Sequence, residues 1–398
     1  ISNYSDYQLT GYSFLHADSF RMPLYPGFMA CIYFITGVKP YLVIFIQILL
    51  SLFSVVFVYR ICRLLFDKIE IAKISSFLFA LDIHSAFVAN QLLTDTLFVV
   101  LFSGSIYFLI KGIKTGKLQD ILWSAVFMGF AGLTRPVVLF YPAIILLLLL
   151  FSKQLSNWKF KAALCFIVVF FGMVGIWPVR NYEKYGQFKF TTEEGTGLLM
   201  YYAAYADART TYRNIDSVRV QYQKEADSMG FRTERNIFKQ SEIYKTLGLD
   251  YIVKHKVAYI KTHLLGGLNM FFAVGNVGMS KVLGWDENKL EEKFAEISSD
   301  RILGNFTTHK RESVLGIFIL LILALEYIGA LIGCIFLIKN KQYLFLLLFL
   351  LTAAYYTTVT GVVGTYRYKL AVIPFICIAA GYGYEHLMKN KRVSTAQK

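Results

Sequence analysis

Arginines set beside prolines and aromatic residues recur at four places in this chain: Arg21-Met22-Pro23-Leu24-Tyr25-Pro26, Leu133-Thr134-Arg135-Pro136, Trp177-Pro178-Val179-Arg180-Asn181-Tyr182 and Tyr366-Arg367-Tyr368-Lys369-Leu370. A fifth cluster, Thr94-Asp95, adds a carboxylate. A guanidinium stays charged at any relevant pH, and its fork of N–H donors matches phosphate oxygens bidentately, so this set suits a phosphate or pyrophosphate. Asp95 could accept a proton or orient a hydroxyl. Simpler readings stand beside these. An interfacial arginine can snorkel to lipid headgroups, and Asp95 can be an N-cap at the start of the helix that follows.

The elements that must hold these residues are hydrophobic helices. The 398 residues are 56% hydrophobic and 17% charged, whereas soluble domains carry about 25% charged residues. A membrane-crossing helix needs roughly 20 mainly apolar residues, and such runs recur, as from Leu315 to Ile338. In hydrocarbon every backbone amide needs a partner within its own segment, and the runs lack the period-two alternation of a barrel strand. The fold class is therefore an all-α polytopic membrane protein. Cys31, Cys62, Cys165, Cys334 and Cys377 lie in or beside apolar runs without metal-ligand spacing and read as packing residues, so no metal and no cofactor are expected.

The net charge of +15 is spread over helix ends instead of forming one solvated patch, which argues against a nucleic-acid partner. Placing Arg60 to Lys73, Lys111 to Lys117, Lys153 to Lys161, Lys339 and Lys341, and the tail Lys389 to Arg392 in the cytoplasm gives a consistent serpentine. Its spans run over about 40 to 60, 73 to 91, 95 to 111, 119 to 134, 137 to 152, 161 to 178, 314 to 338, 343 to 362 and 369 to 388. All five clusters of the first paragraph then fall on the outer face. The expected organisation is a first outer loop with a juxtamembrane helix (1–39), transmembrane helices (40–178), an extracytoplasmic region (179–313), C-terminal transmembrane helices (314–388) and a cytoplasmic tail (389–398). Within the outer region, residues 251–279 predict an interfacial helix, Gln221 to Leu249 short helices, Glu193-Glu194-Gly195-Thr196-Gly197 a loop, and Trp285 to Glu296 a solvated amphipathic helix. Asn305-Phe306-Thr307 matches the short glycosylation acceptor pattern. The start on Ile1 and not Met predicts a further helix upstream.

Taken in order, Arg21-x-Pro-x-Tyr-Pro, Leu-Thr-Asp ending at Asp95, Leu-Thr-Arg-Pro, Trp-Pro-x-Arg-Asn-Tyr and Arg-Tyr-Lys-Leu-x-x-x-Pro resemble the landmarks of GT-C class membrane glycosyltransferases. The closest branch is the phospholipid-carrier-dependent group, glycosyltransferase family 39, with protein mannosyltransferases and aminoarabinose transferases. The resemblance implies a GT-C-like bundle that passes a sugar from a polyprenyl-phosphate donor to a lipid, glycan or protein acceptor on the extracytoplasmic face, with inversion. It implies a bacterial inner-membrane location, with membrane lipids as the remaining partners. Arg21 and Arg367 match carrier-phosphate contacts, with Arg135 and Tyr368 beside them; Asp95 matches an acidic residue near the acceptor. Arg180 and Tyr25 are further candidates. The family's base is an acidic residue early in the first outer loop. Asp6 is the first visible candidate and Asp18 the second, although Asp6 lies nearer Arg21 than the family spacing, which leaves a base upstream of Ile1 open.

The mechanism this implies is direct. The carrier phosphate leaves, arginines stabilise its charge, and a carboxylate deprotonates the attacking hydroxyl or amine. A lipid-linked sugar flippase or polymer ligase handles the same carrier. A secondary transporter would need midplane charges and two related halves, and neither is visible.

Overall fold

In the computed structural model the residues described are 19–155, 157–275 and 310–396. Among them the chain is helical throughout, without a strand. Helix α1 (Leu24–Thr36) precedes α2 (Pro40–Phe66), α3 (Ile69–Leu81), α4 (Ile83–Ala89), α5 (Asp95–Thr115) and α6 (Leu118–Thr134). After a 3-10 turn at Pro136–Val138 come α7 (Pro142–Phe151) and α8 (Lys159–Tyr185). The long segment after α8 holds α9 (Glu193–Thr196), a π turn (Gly197–Ala203), α10 (Ala204–Thr211), α11 (Ile215–Ser228), α12 (Ile237–Lys254) and α13 (Lys256–Phe272). The chain closes with α14 (Lys310–Lys339), α15 (Tyr343–Thr360), a 3-10 turn (Tyr366–Ala371) and α16 (Ile373–Ala396).

Each apolar run of the sequence lies in a helix. Among the described residues five helices, α2, α5, α8, α14 (from Val314) and α15, are long and apolar enough to cross a membrane, and α3 with α4 makes a sixth if the pair, bent by 55°, is one span. Helices α1 and α6 and the stretch Pro136–Phe151 are apolar but shorter. The protein is thus a polytopic helical membrane protein. Helix α2 shows why these segments sit in lipid: Phe45, Leu49, Leu52 and Phe53 are exposed on one side, while Val43, Gln47, Ser54 and Val58 are buried on the other.

Small residues let the helices approach closely, as expected where no hydrophobic effect drives helix pairing. Helices α14 and α16 meet along Gly329, Gly333 and Gly383; a Cβ on Gly333 would stand 1.9 Å from the Ala379 carbonyl oxygen. Helices α5 and α6 exchange hydroxyl bonds, Ser105 Oγ donating to the Ser124 carbonyl at 2.8 Å and Ser124 Oγ to the Ser105 carbonyl at 2.9 Å. At one end of the bundle, pairs of opposite charge join Lys111 to Asp120 (2.7 Å) and Lys68 to Glu385 (3.2 Å).

The segment from α9 to α13 has its own small core of Leu199, Met200, Val218, Tyr222, Phe231 and Tyr244. Two expectations change here. The Glu193 to Gly197 segment is helical and not a loop, because its glycine serves packing: a Cβ on Gly195 would lie 2.0 Å from the Ser241 carbonyl oxygen. The described part of the 251–279 segment does not form one helix either. The chain breaks at His255, between α12 and α13. Helix α13 leaves Val257, Leu264 and Leu268 exposed, while Gly266 presses onto the Gly361 carbonyl. The expected helix Trp285 to Glu296 and the Asn305 pattern lie outside the described residues.

Candidate active site

The site is built around Asp95. Helix α4 ends at Ala89, a short connection follows, and Asp95 is the first residue of α5, with a side chain closed to solvent. Both carboxylate oxygens are engaged: Arg135 Nη1 donates to Oδ1 and Arg367 Nη2 donates to Oδ2 at 2.6 Å. The N-cap reading therefore fails. Thr94 occupies the cap position and makes no side-chain cap bond, and Asp95 spends its acceptors on guanidinium groups. The helix N-terminus beneath it adds a favourable field for a negative charge.

Local sequence sets each arginine. Pro136 excludes the α conformation at the residue before it, so Arg135 leaves the end of α6 extended, at φ −143° and ψ 126°. Its guanidinium lies 5.7 Å from the Phe98 ring centre and 5.6 Å from that of Tyr368. Arg367 sits on the 3-10 turn, which is pinned from several sides. Lys369 is fully buried and donates to the Phe271 carbonyl at 3.1 Å; Asn269 donates to the Gly364 carbonyl at 2.9 Å. The Tyr366 ring lies 5.0 Å from that of His84, itself bonded to the Val274 carbonyl at 3.1 Å. Asp95, Arg135, Arg367 and Tyr368 enclose a void of only about 10 Å³, on the order of one water. The carboxylate itself fills the space between the two cations.

Glu193 joins this group from the segment after α8, and sequence reasoning missed it. It lies in the first turn of α9. The segment before it is held by Thr192, whose N–H donates to the Ser19 carbonyl at 3.0 Å and whose own carbonyl accepts from Ser241 Oγ at 2.8 Å. Glu193 is open to water at the rim, yet the protein crowded around it raises its carboxyl above the ordinary range; Arg135, Arg21 and Arg367 act on it in the opposite direction. Arg21, exposed at the start of α1, thus faces the same group through Glu193. No spacing in the sequence marks Glu193, since its partners come from three distant elements.

The remaining candidates lie apart from the carboxylate or outside the described residues. Tyr25 donates to Gln47, which in turn donates to the Gln91 carbonyl at 2.7 Å, tying α1 and α2 to the connection that ends at Asp95. Arg180 donates to Ser19 Oγ at 3.1 Å and Asn181 Oδ1 at 2.9 Å, and its guanidinium lies 4.7 Å from the Trp177 ring centre. It secures the chain that leads into Arg21 instead of meeting Asp95. Asp6 and Asp18 lie outside the described residues. No group of three or more His, Cys, Asp or Glu able to hold a metal ion occurs among the described residues.

Residues 21–180 match the dolichyl-phosphate-mannose-protein mannosyltransferase family, a glycosyltransferase family, which bears out the resemblance read from the motifs. The matched segment contains Arg21, Asp95 and Arg135; Glu193 and Arg367 come from beyond it. No curated protein matches this chain.

Proposed function

We propose that this protein transfers a sugar from a polyprenyl-phosphate carrier to a lipid, glycan or protein acceptor on the extracytoplasmic face of a membrane, with inversion. The observation that carries the reading is the Arg135–Asp95–Arg367 cluster, with Glu193 and Arg21 facing it. Two buried or half-buried cations converge on one point only when an anion compensates them, and a carboxylate and a phosphate are interchangeable in that role.

In this reading the carrier phosphate takes over guanidinium donors now given to Asp95. Arg135 and Arg367 then stabilise the charge that builds on the leaving phosphate, and the displaced carboxylate oxygen becomes an acceptor for the proton of the incoming nucleophile. Glu193, with its raised carboxyl, is the second acceptor at hand; Asp6 and Asp18 retain the role that the family pattern implies for the first outer loop. Nine spans, with 179–313 on the side of Arg21 and the tail in the cytoplasm, complete the topology we propose. It is supported by the helices, among the described residues, that overlap each expected span, the second span being shared by α3 and α4. A bacterial inner membrane with a periplasmic site fits that arrangement.

The test is a transfer assay on protein in lipid nanodiscs with polyprenyl-phosphate mannose and a range of hydroxylated acceptors. Release of free polyprenyl phosphate with formation of an inverted glycoside supports the reading. Translocation of intact donor without cleavage would replace it with a flippase.

A further inference from the structure

Beside the arginine cluster, on the other side of Asp95, lies a cavity of about 110 Å³ between α2, the α3–α4 bend and the start of α5. Its mouth and its floor differ in kind. Leu52, Ala80 and Ala86 at the edge are exposed on the apolar flank of the bundle, so the cavity opens toward lipid and not toward the outer solution. The floor is polar. Ser54, Asp82 and Thr96 are 2%, 1% and 6% exposed; Ser54 Oγ and Thr96 Oγ1 have no hydrogen-bond partner, while Asp82 Oδ1 and the Ser85 hydroxyl beside them are held only by long contacts around the Asp82 carboxylate. Asp82 Oδ2 is occupied, accepting from the Ser85 N–H at 2.6 Å, and His84 Nδ1 stands 3.7 Å from Oδ1.

Unpaired hydroxyls on one small cavity are costly where water is scarce, and native interiors rarely leave such groups without a partner. The donor set states what would satisfy them. Three hydroxyls can each donate and accept, and a carboxylate oxygen accepts. No lysine or arginine lines the cavity, so a phosphate has no counter-charge there. The apolar mouth requires a ligand that travels in the bilayer. We propose that this cavity binds an uncharged, hydroxylated group carried on a membrane lipid: a sugar or polyol whose hydroxyls pair with Ser54, Asp82, Ser85 and Thr96 while its lipid chain leaves past Leu52. Asp95 and Val99 border both this cavity and the arginine void, so the bound hydroxyls come to rest next to the carboxylate that the arginines hold. Such a group can come from two sources, the sugar of the carrier-linked donor or a neutral glycolipid acceptor. The assignment to one or the other rests on the transferase reading; the pocket itself does not.

The experiment measures binding of three probes to the full chain in nanodiscs: polyprenyl phosphate, polyprenyl-phosphate mannose and glucosyl diacylglycerol. The Ser54→Ala/Thr96→Val double variant keeps the shape of the cavity and removes two hydroxyls; Ala86→Leu narrows its mouth. Both should weaken one hydroxylated lipid by about tenfold, the effect of two lost hydrogen bonds, with polyprenyl phosphate unchanged as proof of an intact fold. Loss of the mannosylated carrier identifies the donor sugar, and loss of the glycolipid identifies the acceptor. The proposal is overturned if neither hydroxylated lipid binds the unsubstituted protein, if both variants leave all three affinities unchanged, or if both lower all three equally. Failure of the unsubstituted protein to bind polyprenyl phosphate would sink the carrier reading instead, and the glycolipid would still test the pocket.

Discussion

Replacing Arg367 by alanine separates catalysis from folding at this site. The substitution removes the 2.6 Å bond to Asp95 Oδ2, yet Arg135 remains on Oδ1, so the buried carboxylate keeps one cationic partner. The Arg367 side chain is 38% exposed while Asp95 is buried, and because Arg135 still compensates the carboxylate the loss of stability should stay at about 1–2 kcal/mol. Its effect on transfer should be much larger. A charge-assisted contact to the departing phosphate is worth on the order of 3 kcal/mol in the transition state, or roughly a hundredfold in rate. Asp95→Ala is the contrasting variant. It leaves two guanidinium groups facing each other with only the more distant Glu193 to offset them, and removing one partner of a buried pair in this way costs about 3–5 kcal/mol of stability. Transfer from polyprenyl-phosphate mannose and thermal unfolding, measured on both variants, should therefore diverge: Arg367→Ala slow and stable, Asp95→Ala unstable. If Arg367→Ala transfers sugar at a near-normal rate with unchanged carrier binding, Arg367 is a lipid anchor and the site has been misread. If it unfolds as readily as Asp95→Ala, its role is structural.

Cysteines placed at Glu194 and Lys114 should be labelled from opposite sides of the membrane by an impermeant thiol reagent; labelling from one side would reject the topology. Gly266→Ala should destabilise the protein by about 1–3 kcal/mol in thermal unfolding, because the new Cβ would stand 1.8 Å from the Gly361 carbonyl, whereas Gly27→Ala, with open space around it, should not lower stability. Glu193 holds its proton more tightly in the folded state than in the unfolded chain. The stability it contributes is thus fully present below the ordinary glutamate pKa and is lost as pH rises through the folded-state value. Glu193→Gln should flatten that part of the stability profile, and an unchanged profile would show that the carboxyl is not held in this way. If Glu193 also serves as the base, the acidic limb of the transfer rate should lie above the ordinary glutamate range and vanish in the same variant.

The helices were legible because a run of apolar residues long enough to cross a bilayer has few other folded states open to it. Arg135 and Arg367 were legible too, since proline and aromatic neighbours mark a fixed backbone, and Asp95 stood out as an ionisable group at membrane depth. Their junction was not, because contacts 40 and 272 residues apart leave no trace in local spacing. Glycine caused the clearest misreading. At Gly195 the absent side chain admits the Ser241 backbone, but in a sequence the same letter also marks a turn. Lys369 was visible only as part of a motif; nothing in Tyr-Lys-Leu announces a fully enclosed ammonium.

The carboxylate wedged between two arginines also fixes the valence of whatever replaces it. With Arg21, Arg135 and Arg367 set against Asp95 and Glu193, all ionised, the cluster carries one surplus positive charge (three minus two). A sugar phosphodiester brings one negative charge and leaves the site neutral. The phosphomonoester left after transfer, with a second pKa near about 6, brings close to two. Unless a carboxylate has taken up the acceptor's proton, the spent carrier therefore meets net repulsion. Substrate is matched, and product becomes overcharged once the carboxylate that took up the acceptor's proton has released it, so the same acidic side chains would then help to expel the carrier whose sugar is gone.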